Sequence, residues 1–456
     1  GRGRPGSASG FTRALAAFVA AYAVALAWAS RSPSPRLWGI HHAAFLSGVP
    51  RVAVFIAAAA GVLLLGLAAL RGGKGSGRDS STKRSSADLT LYLLTLPVLV
   101  LLFWTLRVRT HFLGDGIVWI SNLTSGQFPS FSEPLASATW HGWVLALRAL
   151  RLNVNEATLA AGSVLCGALT AAVFALLAME TGTTRRGRLM TTALLLTLGA
   201  MQLGFGYVES YPIAGVLVAG YLALGVRAVR TGRPDIATGV ALALVVTGHV
   251  VSLTLVPSYV WLVARSRATP LRKAFLGVLP VVLTAALFGW LRFGVGDLLR
   301  PFQAVGAAGG GALLRGGTVA GLWDRWTDAA NLALLLAPAP LLVLAARASS
   351  GHAIRSEERP SSLGFLVMAA APGLLATPLL VLPSSPAQDW DLLAIVLLPA
   401  AVLASVVSAR VLDGAPSTAA AGVALLAGAG VASFVLVNAD AAAGIRRFEA
   451  LVGDSA

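Results

Sequence analysis

Hydrophobic residues run along this chain in long unbroken stretches rather than in alternation. Thirteen such runs stand out, at 11–30, 52–70, 88–106, 155–178, 189–206, 212–229, 236–249, 251–264, 274–291, 329–347, 363–382, 392–409 and 419–438. Most approach the roughly 20 residues that a helix needs to cross a bilayer. Continuous runs favour helices over strands, because a strand lining a barrel alternates between lipid and lumen. The pattern therefore predicts an all-α polytopic membrane protein of about 13 transmembrane helices, with a range of 11–14. The first run, Phe11 to Ala29, shows no clear cleavage site and reads as a span.

Composition agrees with the pattern. Of 456 residues, 56% are hydrophobic and 12% charged, against about 25% charged in soluble domains. A soluble enzyme, a disordered chain and a disulfide scaffold are excluded. The single cysteine, Cys166, lies within an apolar run and allows no intramolecular disulfide.

The net charge of +16 raises the question of nucleic acid, and the position of the charges answers it. Basic residues gather in one set of loops: Arg71, Lys74, Arg78, Lys83 and Arg84, then Arg185, Arg186 and Arg188. Further along come Arg227, Arg230 and Arg233, then Arg265, Arg267, Arg272 and Lys273, then Arg347, Arg355 and Arg359. Short basic loops face the cytoplasm. The charge thus marks topology and predicts no nucleic-acid partner. It places the N-terminus in the cytoplasm and the protein in the inner (plasma) membrane of a bacterium. One hinge of this topology is 236–264, read as a short hairpin so that Arg265 to Lys273 stay inside.

The opposite, extracytoplasmic face collects Asp115, Glu133, Glu209, His249, Asp389 and Asp391, with His41, His42, His111 and His141. Acidic groups near a bilayer are costly and are functional candidates. The longest patterned outer loop, 107–154, holds His111-Phe112-Leu113-Gly114-Asp115-Gly116. Flanking glycines permit close approach of a ligand to the Asp115 carboxylate, a candidate general base or metal ligand; a plain Gly-Asp-Gly turn is the bland reading. Glu133 precedes Pro134 and an amphipathic surface helix at about 134–151, so it either binds substrate or complements the helix dipole. In that helix Trp140, His141 and Trp143 read as interface anchors before sugar-site residues.

Tyr207, Glu209 and Tyr211 fall in Phe205–Pro212, which joins two spans with almost no loop and suits a hydroxylated ligand. His249 sits at the tip of the 236–264 hairpin as a phosphate or metal contact. In Pro383–Asp391, Asp391 reads as a helix cap, and Asp389 and Trp390 as ligand contacts. Among the outer arginines (Arg107, Arg109, Arg292, Arg300, Arg315), Arg109 and Arg292 are candidates for a donor phosphate, beside the alternative of interfacial snorkelling. A second outer segment, 292–328, is Gly-rich at 306–317 and then carries Trp323-Asp324-Arg325-Trp326.

With these residues in view, the chain resembles the GT-C superfamily of integral-membrane glycosyltransferases. The resemblance rests on the many-span bundle, on the outer loop with Asp115 near its start, and on the amphipathic helix within that loop. The Gly206–Pro212 and Asp389-Trp390-Asp391 segments look like later outer-face motifs, and the likeness covers roughly 88–409. Spans 11–30 and 52–70 form an added hairpin, and the paired Asp-Glu of several subfamilies is missing. The resemblance implies a polyprenyl-phosphate sugar donor and a glycan, lipid or protein acceptor on the outer face. It implies inversion at the anomeric carbon, with Asp115 as base and Arg292 on the leaving phosphate. A divalent cation held by Asp115, Glu209 and His249 is a possible cofactor. Three regions are expected: 1–87, an N-terminal hairpin and basic linker; 88–291, the GT-C-like module; and 292–456, the remaining outer loop and spans. Two alternatives stay open, a polysaccharide polymerase or ligase and a transporter or flippase of lipid-linked substrates. An intramembrane metalloprotease is excluded by the lack of His-Glu-x-x-His.

Overall fold

The computed structural model describes residues 7–31, 33–70, 86–127, 132–233, 235–294, 296–297, 319–350, 362–378 and 385–452. The basic linker at 71–85, Arg300, Arg315, Arg355, Arg359, the Gly-rich stretch 306–317 and the positions Pro383 and Ser384 lie outside the described residues.

The architecture is all-helical. The helices are α1 (Ser7–Ala29), α2 (Gly48–Leu70), α3 (Ser86–Thr105), α4 (Gly116–Ser125), α5 (Pro134–Ala149) and α6 (Glu156–Thr181). They continue as α7 (Arg185–Leu196), α8 (Tyr211–Thr231), α9 (Ile236–Gly248), α10 (Val256–Arg265), α11 (Pro270–Trp290) and α12 (Val319–Leu336). The last five are α13 (Pro338–Ser349), α14 (Ser362–Ala376), α15 (Trp390–Asp413), α16 (Ser417–Ala439) and α17 (Ala441–Val452). Each of the thirteen predicted apolar runs contains helix. Among the described residues seven helices are long and apolar enough to cross a membrane. An eighth span forms if α12 and α13, bent by 108°, count as one. Segments of α3, α9, α10 and α14 are apolar but shorter.

Local chemistry sets the helix ends. The Asn155 side chain accepts from the Thr158 N–H, and Thr158 returns the bond, a reciprocal cap that starts α6. Asp235 caps α9 through the Thr238 N–H, and Thr269 followed by Pro270 opens α11. Gly232, with φ at +69°, ends α8.

Packing then places the spans. In α15 72% of the apolar window is buried, and in α11 only 11%, so α15 is central and α11 peripheral. The central helix packs on α7, α8, α13 and α14, and α6 packs on α8 and α3. The N-terminal α2 lies along α16, and α1 along α13. The connector between α1 and α2 is pinned to α12: Trp38 Nε1 donates to Asp328 at 2.9 Å, and Asn331 receives the Gly39 N–H at 3.0 Å.

The expected hairpin at 236–264 is present. A 3₁₀ stretch at 250–255 turns α9 into α10. A Cβ at Gly239 would lie 2.8 Å from the Tyr259 hydroxyl. Those two residues stand equally far from His249, so α9 and α10 run back side by side. The tip is tied to the start of α5 by Val250 N–H donating to Ser132 C=O at 2.8 Å.

Candidate active site

A cluster of carboxyl groups forms where four segments meet at one end of the bundle. They are the Gly114-Asp115 turn before α4, the Phe205–Ser210 link before α8, the first turn of α15, and the contact between Ser132-Glu133 and the hairpin tip. The Phe205–Ser210 link is set by a close crossing: Gly204 lies against Gly167 of α6, where a Cβ on either would overlap the other backbone. Ser163 Oγ, one turn earlier on α6, donates to Tyr207 C=O at 2.6 Å. Trp140 Nε1 on α5 donates to Glu209 C=O at 2.9 Å. The link is therefore clamped from two sides before any side chain of its own is used.

Glu209 is 2% exposed. Its Oε1 accepts the Asp115 backbone N–H at 3.1 Å, which fixes the turn that presents Asp115. Its other oxygen has no hydrogen-bond donor facing it among the described residues, while the Asp391 carboxyl adjoins it. Burial, followed by the Asp391 charge and contact, drives the Glu209 carboxyl well above its ordinary range. A proton on Oε2, between Glu209 and Asp391, is the arrangement that shift favours. Asp391, 1% exposed, also receives the Tyr207 hydroxyl at 2.6 Å, which lies equally close to Leu113 C=O. The sequence reading of Asp391 as a helix cap is corrected here. The only capping-type bond it makes is to the next N–H, Leu392, at 2.9 Å, and its other oxygen belongs to this buried network.

The network explains the glycine before Asp115. Gly114 has φ at +71°, and a Cβ there would overlap both Asp391 Oδ2 and the Tyr207 hydroxyl. Only glycine lets the turn settle onto the pair. The Gly-Asp-Gly sequence is thus a turn and a site component at once. Asp115 itself is exposed at the rim, directly before α4, and its side chain makes no capping bond. Partial burial, then the charges of Asp391 and Glu133, raise its carboxyl above the ordinary aspartate range.

On the adjoining side, Glu133 stands before α5 without capping it. Its carboxylate receives the Ser132 N–H and hydroxyl and lies 3.9 Å from His249 Nε2. His249 Nδ1 accepts from Val251 N–H at 3.2 Å. The remaining ring proton of the neutral imidazole therefore lies on Nε2, toward Glu133. The ring stacks on Tyr211 at 5.3 Å and 23°. Burial lowers the His249 pKa, against the opposing pull of Glu133 and Asp391.

The structure thus brings together Asp115, Glu133, Tyr207, Glu209, Tyr211, His249 and Asp391. Trp390 is 2% exposed and packs against Tyr207 at 5.8 Å, behind the network rather than on its open side. Asp389 precedes α15 without capping it. The two arginines go elsewhere. Arg109 is exposed and lies with Arg107 near Glu156. Arg292 is exposed past the end of α11, a helix that packs chiefly on α9.

The suggested metal triad of Asp115, Glu209 and His249 does not fit. Burial and then Asp391 shift Glu209 toward its neutral form, both nitrogens of His249 are oriented by protein groups, and no three His, Cys, Asp or Glu residues converge as a cluster among the described residues. Trp140 and Trp143, read as interface anchors, instead point inward and donate to Glu209 C=O and Thr158 C=O.

Two site elements left no trace in the sequence reading. One is α17, too short to register as a span. The other is Arg447 on it, 1% exposed, whose guanidinium interacts electrostatically with Tyr207. The amphipathic spacing of 441–452 was the available signal.

No family model matches the chain, and no curated protein matches it. Among solved structures it is similar to ArnT from Cupriavidus metallidurans bound to undecaprenyl phosphate. That match has 16% identity, covers 81% of this chain and 79% of that one, and has a TM-score of 0.39. It is also similar to the apo state of the same protein, at 18% identity, 76% and 78% coverage, and a TM-score of 0.34. At these scores neither likeness assigns a role to any residue.

Proposed function

We propose that this chain is a membrane glycosyltransferase that moves a sugar from a polyprenyl-phosphate donor to a hydroxyl acceptor, with Asp115 as general base. One observation carries the reading: an exposed carboxylate has its backbone N–H held by the buried Glu209, while partial burial and then the charges of Asp391 and Glu133 raise its proton affinity. A base is most effective when its proton affinity lies near the working pH, and this arrangement shifts Asp115 in that direction. The resemblance of the 107–154 loop to that of GT-C enzymes supports the same assignment.

In the reaction, Asp115 takes the acceptor proton. The acceptor oxygen forms its bond to the anomeric carbon from the face opposite the phosphate. The bond between that carbon and the phosphate oxygen breaks, and the lipid phosphate leaves with the electron pair, so the configuration inverts. Glu133, whose charge acts on Asp115, and Tyr211, stacked on the His249 that neighbours Glu133, are the groups proposed to meet sugar hydroxyls.

The test is product analysis. Purified protein in detergent is given a panel of polyprenyl-phosphate sugars and a membrane extract as acceptor source, and the glycosidic linkage is read by NMR. A transferred sugar of inverted configuration is expected. Retention of configuration, or transfer only from nucleotide sugars, would refute the reading.

A further inference from the structure

The Trp323-Asp324-Arg325-Trp326 sequence lies in the first half of α12, and the fold gives it a setting of its own. Helix α13 packs along α1 and α15, and α12 is bent by 108° from it, so α12 runs crosswise to the spans. Trp323 and Trp326 are 70% and 63% exposed. Indoles so placed on a crosswise helix belong to the membrane–water interface. The other face of α12 turns inward: Asp328 accepts from Trp38 Nε1 at 2.9 Å, and Leu332 is buried.

A cavity runs along that inner face. Arg325, Asp328, Ala329 and Leu332, at the spacing of one helical stripe, form one wall, and Thr377 after α14 and Leu393 in the first turn of α15 form part of the other. Leu393 follows two residues after Asp391, so the cavity sits at the same end of the bundle as the carboxyl cluster, on a different side of α15. The stripe grades from charged to apolar. Arg325 is half-buried and forms no hydrogen bond or ion pair among the described residues. Asp328, one turn on, gives one oxygen to Trp38, and its other has no hydrogen bond among the described residues. The Thr377 hydroxyl donates its proton to Gly373 C=O at 2.8 Å and can only accept from a ligand. The space between the walls admits about three water-sized spheres.

We propose that this groove binds the headgroup of a zwitterionic aminophospholipid, with its phosphate on Arg325 and its ammonium on Asp328 and Thr377. Three features select this class. The wall offers both signs, unpaired with one another: a bare anion would meet Asp328 and the adjacent Asp324, and a bare cation would meet Arg325. The guanidinium suits phosphate, and a primary ammonium carries donors only, matching the two acceptors. The space takes an ammonium and its methylene but no sugar ring, while Trp323 and Trp326 set its surroundings at headgroup level. Bound there, the lipid ties α12 to the end of α14 and the start of α15, and through Trp38 to the connector between α1 and α2. The site is independent of the group-transfer reading.

The test uses full-length protein in a neutral detergent, with bound lipid counted by native mass spectrometry across a titration. Phosphatidylethanolamine, phosphatidylcholine and phosphatidylglycerol with the same oleoyl chains are compared. Wild type should bind phosphatidylethanolamine roughly tenfold more tightly than phosphatidylglycerol, which has no ammonium. Phosphatidylcholine, whose methylated ammonium donates no hydrogen bond, should also bind more weakly. Arg325→Gln should weaken phosphatidylethanolamine binding roughly tenfold. Asp328→Asn, whose amide oxygen still accepts from Trp38, should keep the unfolding midpoint and lose the preference for phosphatidylethanolamine over phosphatidylglycerol. Equal binding of all the lipids by wild type and both variants would show general lipid coating and overturn the site. Phosphatidylglycerol bound as tightly as phosphatidylethanolamine, with both lost in Arg325→Gln, would show an anion site and overturn the headgroup assignment. Free phosphoethanolamine bound as tightly as the lipid would overturn the membrane source of the ligand.

Discussion

Glu209 offers the sharpest discrimination between a proton-holding strut and an ionised ligand. Its Oε1 accepts from the Asp115 N–H at 3.1 Å, and Oε2 faces Asp391. Glutamine has the same shape: its carbonyl oxygen accepts from Asp115 and its amide nitrogen donates to Asp391. Glu209→Gln should therefore keep both bonds, stay within about 1 kcal/mol of wild type and retain transfer. Glu209→Ala strands a buried N–H and a buried carboxyl. At about 1–3 kcal/mol for each unsatisfied group, the loss is about 2–6 kcal/mol, a fall in midpoint of about 2–6 °C for a chain of this length. The pH dependence has a definite sign. Burial and Asp391 raise Glu209 above its ordinary 4.5, so the folded chain keeps a proton that the unfolded chain releases. That stability is complete below 4.5 and is lost as pH rises toward the elevated value. The wild-type midpoint should thus decline with rising pH, and Glu209→Gln should remove that part of the slope. Thermal unfolding in detergent from pH 5 to 9, with transfer measured in parallel, is the assay. A folded Glu209→Gln that is as inactive as an Asp115 variant would refute the protonated-strut argument.

Three further outcomes follow from the same geometry. Gly114→Ala forces a Cβ into Asp391 and Tyr207 at a left-handed backbone position; it should abolish transfer and lower the unfolding midpoint, and an active variant would contradict the close approach. The acidic limb of the pH–rate profile should lie above the ordinary aspartate value of 3.8, and Glu133→Gln should move it down, because the Glu133 charge helps hold Asp115 up. Trp140→Phe removes the bond to Glu209 C=O and should cost about 1–3 kcal/mol, read as a lower unfolding midpoint; an unchanged midpoint would mean that the indole does not clamp the link.

Much of the fold was legible because apolar length and basic loops act locally along the chain. The apolar helices, the 236–264 hairpin and the helix after Pro134 could be read that way, although among the described residues seven helices, or eight with the bent pair, and not thirteen, are long enough to cross a membrane. The gathering of acids at one end was legible too, since topology alone predicts which loops share a face. Their partnerships were not. Asp115 and Glu209 lie 94 positions apart, and Tyr207 and Asp391 lie 184 apart, so no spacing rule reports that they touch. Asp391 resembled a helix cap because aspartates at helix starts usually are caps; only the fold brings Tyr207 against it. Arg447 was hidden for a related reason. In a 12-residue amphipathic helix an arginine reads as solvated, and its burial depends on where α17 lies against Phe434 and the 107–113 loop.

The central claim is that Asp115 is the base, and its most direct test compares wild type with Asp115→Asn. Both are expressed equally in membranes supplied with a radiolabelled polyprenyl-phosphate sugar pool, with folding checked by thermal unfolding. Asparagine keeps the turn and its backbone bond to Glu209 but cannot take a proton. Transfer should fall about 10²- to 10⁴-fold at an unchanged unfolding midpoint. Full transfer by a folded Asp115→Asn would contradict the account and move the chemistry away from this turn.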